Sequence, residues 1–167
     1  EVEIGAGHAF EWRVAHNRRV VMRDGTANTH GSFNSPDALF LEGPIDPEVF
    51  VLAARVPGGA LLGCLVNHTC HPTHHGGDAV LSAGYPGVLA ASMKPRGCPV
   101  TLFLNGACGN VHTSDPTRGG AGMDMDEAGH ALAEDTQRIL AAMVYRKETP
   151  LAARSRTCRQ WPDSDLP

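Results

Sequence analysis

Two apolar runs, Val49–Arg55 and Ala60–Asn67, constrain this chain more than anything else in it, because only Val56-Pro57-Gly58-Gly59 separates them. Aliphatic and β-branched runs of this length read as strands, and Pro-Gly presets a chain reversal, so the pair predicts a β-hairpin. The second strand, ALLGCLVN, runs directly into HTCHPTHH, His68 to His75, which holds four of the chain's nine histidines. The hairpin therefore delivers the cluster to a strand's carboxyl end and the loop beyond it, the edge at which open α/β sheets bind ligands. Imidazole is the commonest metal ligand among side chains and is largely neutral near pH 7, so the cluster reads first as a candidate metal site.

Beyond the loop, Tyr85-Pro86-Gly87 opens VLAASMK, a predicted helix with Pro86 near its first turn and Pro95-Arg96-Gly97 at its end. A strand is predicted over Pro99–Asn105, PVTLFLN, with the near-continuous apolar character of a buried central strand. It ends in the small-residue turn Gly106-Ala107-Cys108-Gly109-Asn110, so two adjacent strand ends are expected to deliver polar loops to one rim. From Asp124 to Lys147, the residues Ala128, Leu132, Ile139, Leu140, Met143 and Val144 recur at helical spacing, with acids in the first turn and Arg146-Lys147 in the last. Pro150 ends this surface helix, and Leu151–Trp161 is a weaker candidate strand. The N-terminal third, with Val20–Met22, the turn Asp24-Gly25 and THGSFNSPDA, predicts a loose hairpin and a long loop. The fold class expected is α/β: a mixed sheet with a β-hairpin and flanking helices, in one domain over residues 1–167.

A chain of 167 residues with 42% hydrophobic residues can bury a core. A net charge of −4 without a basic run argues against nucleic-acid or anionic-lipid partners, and no stretch approaches the ~18 apolar residues of a membrane span. The five cysteines, Cys64, Cys70, Cys98, Cys108 and Cys158, are odd in number and lack a C-x-x-C pair. That argues against a full disulfide framework and a cysteine-based zinc site, and most read as buried small hydrophobes. Cys70, between His68 and His71, has the position of a soft ligand, but it too reads as a buried small residue. The chain opens at Glu1 without a signal segment and reads as a partial domain truncated at both ends.

The ordered series NRRVVMRDGT (Asn17–Thr26), GPIDPEV (Gly43–Val49), VNHTCHPTHHGGD (Val66–Asp78), LSAGYPG (Leu81–Gly87) and LFLNGACGNVH (Leu102–His112) resembles the neutral/alkaline ceramidase family, in its bacterial N-terminal catalytic domains. The resemblance implies a zinc-dependent amidase that hydrolyses the N-acyl bond of ceramide, with zinc held by two histidines, a glutamate and a tyrosine. It carries one ligand onto this chain, His71 in Cys70-His71-Pro72-Thr73. The family's other histidine lies in an upstream segment not found between Glu1 and Asn67, and its glutamate and tyrosine lie downstream. The rest of the polypeptide is therefore expected to complete the site, and the isolated fragment to be inactive. The resemblance also implies a small-molecule or lipid amide substrate and a secreted or periplasmic location.

A closed structural zinc site built from the cluster alone is disfavoured, because Pro72 stiffens the loop and an H-x-x-H pair needs a helix or a purpose-built turn. His74 and His75 read as rim or supporting groups around His71. In NGACGNVHTSD, Gly106 and Gly109 are expected to allow positive φ and close backbone approach, which would let consecutive N–H groups face an oxyanion. The family has a catalytic serine here, within G-D-V-S-P-N. This chain has Gly109-Asn110-Val111-His112-Thr113-Ser114, so His112 stands in the serine's place and Asn110 in the aspartate's. His112 is the candidate general base on the attacking water, and Ser114, two positions on, is the second catalytic candidate. Gly84 stands where the family often has an acidic residue. The alternatives to a ceramidase-like amidase are a non-enzymatic binding domain of the same fold, and a metal-dependent hydrolase of a different amide or ester.

Overall fold

The hairpin forms where the sequence places it and becomes the middle of the main sheet. The computed structural model describes residues 1–75, 77, 79–150 and 152–156. In chain order its elements begin with β1 (Glu3–Phe10), β2 (His16–Asn17), β3 (Val20–Met22), β4 (Ala27–Asn28) and β5 (Ala38–Leu41). The hairpin strands β6 (Glu48–Arg55) and β7 (Leu61–His68) follow, then α1 (Gly84–Met93) and β8 (Thr101–Asn105). The chain continues through β9 (Val111–His112), α2 (Met125–Ala141) and β10 (Tyr145–Arg146). The main sheet has the order β10-β1-β6-β7-β8; every pair is antiparallel except β7 and β8, which are parallel and joined through α1. Among the described residues this is a mixed α/β architecture with a mixed sheet and two α-helices. No helix among the described residues is long and apolar enough to cross a membrane.

Both helices pack on one face of the sheet and against each other. That face presents Val49, Val51, Ala53, Cys64 and Val66 to Leu89, Met93, Leu132 and Ile139, all buried. Each fully buried aliphatic side chain contributes roughly 1.5–3 kcal/mol relative to exposure, so this layer dominates stability. The start of α2 is also encoded locally. Asp124 accepts from the Glu127 N–H while the Glu127 carboxylate accepts from the Asp124 N–H, a reciprocal cap at the head of α2. The small sheet β4-β3-β5 contains the expected N-terminal hairpin, whose Gly25 turns at φ 85°.

Four expectations need correction. β1 is a full strand that the glycine-rich EIGAGHAF did not announce: a Cβ at Gly5 would stand 2.6 Å from Met143, and one at Gly7 2.9 Å from Ile139. Its glycines exist to let α2 and the chain after it lie close on the strand. Second, α2 stops at Ala141 rather than near Lys147, because Tyr145 and Arg146 leave the helix to pair with Gly5 and Ile4 of β1. Arg55 then covers the Tyr145 ring at 4.0 Å, a cation–π contact that holds this edge. Third, β8 is an edge strand, not a central one, with Leu102 and Leu104 exposed on the face away from the helices. Fourth, the long N-terminal loop contains a strand of its own, β5. Residues 152–156 carry no regular structure, and the remainder of the strand expected over Leu151–Trp161 lies outside the described residues.

Candidate functional site

The parallel register of β7 on β8 runs from Cys64↔Thr101 to His68↔Asn105, so both strands end level and their loops leave the same rim, as expected. Three hydrogen bonds tie the loops together. The Gly106 N–H donates to the His68 carbonyl at 3.1 Å, the His71 N–H to the Val111 carbonyl at 3.1 Å, and the Tyr85 hydroxyl to the Cys70 carbonyl at 2.7 Å. Gly106 is a close-approach glycine: a Cβ there would sit 2.1 Å from Thr69 Oγ1. Neither it nor Gly109 has positive φ, which corrects that part of the expectation. The N–H groups of Gly106 and Val111 are committed to the His68 and Cys108 carbonyls, so these two do not face an oxyanion.

His71 is half-buried at the centre of this rim. Its Nδ1 lies 2.7 Å from the Cys108 carbonyl oxygen and 3.3 Å from that of Val111. Both partners only accept, so Nδ1 carries a hydrogen, and Nε2, the other ring nitrogen, has no hydrogen-bond partner among the described residues. A histidine whose Nδ1–H is fixed on a backbone carbonyl, with Nε2 open, is oriented as metal-ligating histidines are.

His112 reaches the same rim on β9. Its Nδ1 accepts the Ser114 N–H at 3.1 Å and its Nε2–H donates to the Thr73 carbonyl at 3.0 Å, so both ring nitrogens are engaged. Burial, then the nearby Arg18, His74 and His30, hold its pKa below the ordinary histidine value against the opposing Thr73 carbonyl, and the ring is neutral at pH 7. Ser114 is half-buried, and its backbone bridges to Gly122. His74 stands between His112 and Tyr85, with ring centroids 6.4 and 5.9 Å away, and its Nε2 is 3.4 Å from Thr113 Oγ1. A hollow of about 230 Å³ opens beside it, walled by Pro72, His74, Leu81, Ser82 and Gly84; His71 does not line it.

His68 separates from this group, whereas His75 lines the same hollow as His74. His68 is fully buried, donates from Nδ1 to the Glu48 carbonyl at 3.0 Å and leaves Nε2 unpartnered among the described residues. Burial lowers its pKa, opposed by the Glu48 carbonyl, so it is a neutral core histidine. His75 is exposed. Among the described residues no three His, Cys, Asp or Glu side chains converge on a point that could hold a metal ion.

Several rim residues were not legible in the sequence. β2 pairs with β9 through His16↔His112, and this brings Arg18 and His30 against the site. Arg18 donates to the Gly109 carbonyl at 3.0 Å and lies 3.1 Å from His30 Nε2, and the His30 ring stands 6.2 Å from that of His112. Tyr85 is wholly buried and touches His74 and Phe103 edge-on. Its role was detectable in principle, since a buried tyrosine needs a partner for its hydroxyl. Gly84 has φ 59°, and a Cβ there would fall 2.4 Å from the Pro72 carbonyl oxygen. Any side chain at that φ is strained and would collide with the Pro72 carbonyl, so the backbone there requires glycine.

The fold is similar to that of a ceramidase complexed with C2, with a TM-score of 0.60 and 19% identity over 84% of this chain. It is similar also to neutral ceramidase from Pseudomonas aeruginosa, with a TM-score of 0.59 and 19% identity, again over 84% of this chain. In both cases the match covers 22% of the solved chain, so this chain spans about a fifth of their length. At this identity the likeness is one of fold. No family model and no curated protein matches the chain.

Proposed function

We propose that this chain forms part of the catalytic domain of a ceramidase-like, zinc-dependent hydrolase that cleaves the N-acyl amide bond of ceramide or a related lipid. The observation that carries the reading is the His71 ring, with Nδ1–H held on the Cys108 carbonyl at 2.7 Å and Nε2 left open at the shared end of β7 and β8. An imidazole nitrogen suits zinc, and His71 would supply one ligand of the set, with the others contributed from elsewhere in the polypeptide. Zinc, when bound, polarises a carbonyl and lowers the pKa of a coordinated water to about 7.

The chain's own residues then have distinct tasks. The Cys108 and Val111 carbonyls orient His71, and Tyr85 fixes the loop that carries it by binding the Cys70 carbonyl. His112 and Ser114 flank the reacting group. For His112 to take a proton from water, its Nδ1, the nitrogen that carries the lone pair, must release the Ser114 N–H, because Nε2 already holds a hydrogen on the Thr73 carbonyl. The resting neutrality of His112 leaves it able to accept a proton once a nitrogen is freed.

The test is metal analysis and N-acyl amide hydrolysis by the full-length protein, its His71→Ala variant and its His112→Ala variant. One zinc per chain and turnover are expected for the parent. His71→Ala should lower zinc occupancy at least tenfold, as removal of a ligand does, and His112→Ala should keep zinc while losing about 10²-fold or more in kcat. Full zinc occupancy in His71→Ala would refute the ligand assignment, and undiminished turnover in His112→Ala would remove the base.

A further inference from the structure

Away from the histidine rim, Cys64 and Cys98 meet inside the core. Cys64 lies midway along β7 on the helix-covered face, and Cys98 lies in the turn that enters β8. Since β8 runs parallel to β7 with Thr101 level with Cys64, the residues entering β8 fold back on Cys64. The two Sγ atoms are 3.5 Å apart. Both lie against Thr101 Oγ1, at 3.8 and 3.7 Å, and Cys98 Sγ is 3.3 Å from the Val100 carbonyl. Both thiols are free and buried, with exposures of 6% and 0%. Their ionisation is asymmetric. The thiol of Cys64, hydrogen-bonded to Cys98, helps bring Cys98 down to about 6 against the effect of burial, while the same contact and burial push Cys64 up. That asymmetry belongs to the folded core; what favours oxidation is the contact itself, which folding brings about between the two sulfurs.

We propose that Cys64 and Cys98 form a disulfide bond, a covalent staple across the segment that carries the histidine loop and α1. The oxidant is an organic disulfide of the glutathione type. The Cys98 thiolate attacks one of its sulfurs, forming a mixed disulfide and releasing one small thiolate. Cys64 then gives up its proton and attacks Cys98 Sγ, releasing the second. The protein loses two protons and two electrons, and the small disulfide takes them up to become two thiols. The sulfurs must close from 3.5 Å to about 2.05 Å. Cys98 can supply that movement, because it sits between Gly97, at φ 86°, and the start of β8 rather than within a strand. Because both thiols are buried in the folded protein, exchange takes place as the chain folds, before α1 closes over β7.

The consequence follows from position. The two cysteines are 34 residues apart, and the loop they would close contains His68, His71, His74 and Tyr85. Closing it removes conformations from the unfolded chain and keeps the β7–α1–β8 unit together. Cys70 and Cys108 have other contacts: Cys70 Sγ faces the Val14 and His71 carbonyls, and Cys108 Sγ receives the Asn105 amide at 3.2 Å.

The experiment is to unfold and refold the full-length protein in a glutathione redox buffer, block remaining thiols with iodoacetamide in denaturant, and digest for mass spectrometry. A Cys64–Cys98 peptide pair about 2 Da lighter than its reduced components is expected. Reduction should lower Tm by at least about 5 °C in the parent and leave the Tm of Cys98→Ser unmoved. Where refolding fails, the protein is instead blocked directly in the lysate of the cells that make it and mapped in the same way. Alkylation of both cysteines, or their pairing with Cys70, Cys108 or Cys158, would overturn the proposal, and a parent Tm unaffected by reductant would overturn the stapling role.

Discussion

Replacing Tyr85 with phenylalanine removes one oxygen atom from a side chain that is completely buried. The ring keeps its edge-on contacts with His74, 5.9 Å away, and Phe103, 5.4 Å away, so no cavity of consequence is left. What disappears is the 2.7 Å hydrogen bond to the carbonyl of Cys70, itself a fully buried residue. An acceptor stranded in the interior bears its whole desolvation penalty, about 1–3 kcal/mol, whereas deleting both partners of a hydrogen bond is much milder. Tyr85→Phe should therefore destabilise the protein by about 2 kcal/mol, a factor of roughly 30 in the folding equilibrium. In equilibrium urea unfolding, with a slope of about 2 kcal/mol per M, the midpoint should fall by about 1 M with the slope unchanged. A midpoint within about 0.2 M of the parent would show that water reaches the Cys70 carbonyl and that Tyr85 does not fix the His71 loop.

Two further perturbations separate causes that look alike in the sequence. Gly84→Ala must place a Cβ 2.4 Å from the Pro72 carbonyl at φ 59°, whereas Gly25→Ala, at φ 85°, meets nothing within 4 Å. The second should cost about 1–2 kcal/mol from its dihedral alone and the first clearly more; equal losses in thermal unfolding would contradict the close approach. The buried carboxyl pair Glu11–Asp135 predicts a pH dependence. Burial and the neighbouring Glu11 carboxyl raise Asp135 to about 6, while Arg13 and the Asp135 carboxyl hold Glu11 down to about 2 despite burial. The raised Asp135 binds its proton more tightly when folded, so its contribution is complete below about pH 3.8 and is lost as pH rises towards 6. Glu11 acts in the opposite sense, with stability present above about 4.5 and lost as pH falls towards 2. Asp135→Asn should abolish the decline between about pH 4 and 6 in urea midpoints; an unchanged slope there would exclude Asp135 as its source.

What the sequence determined by itself was local. The β6–β7 hairpin, the β7–α1–β8 succession, the cap at Asp124 and the delivery of His71 and His112 to one rim follow from side-chain periodicity and turn chemistry over a few residues. Tertiary structure decided the rest, and in each case the cause is a contact between distant segments. β1 is a strand although its glycines and alanines have weak β-propensity, because α2 and Met143 need small residues beneath them. α2 stops at Ala141 although Met143 and Val144 continue its apolar spacing, because pairing of Tyr145 and Arg146 with β1 draws the chain away. The four histidines of HTCHPTHH are alike in sequence and divided by the fold: His68 is in the core, His71 is set on a carbonyl with one nitrogen open, His74 stands between rings and His75 is exposed. Arg18 and His30 join the rim only because β2 pairs with β9. Periodicity records which residues face inward, but which backbone carbonyl meets which ring nitrogen depends on packing across the whole chain.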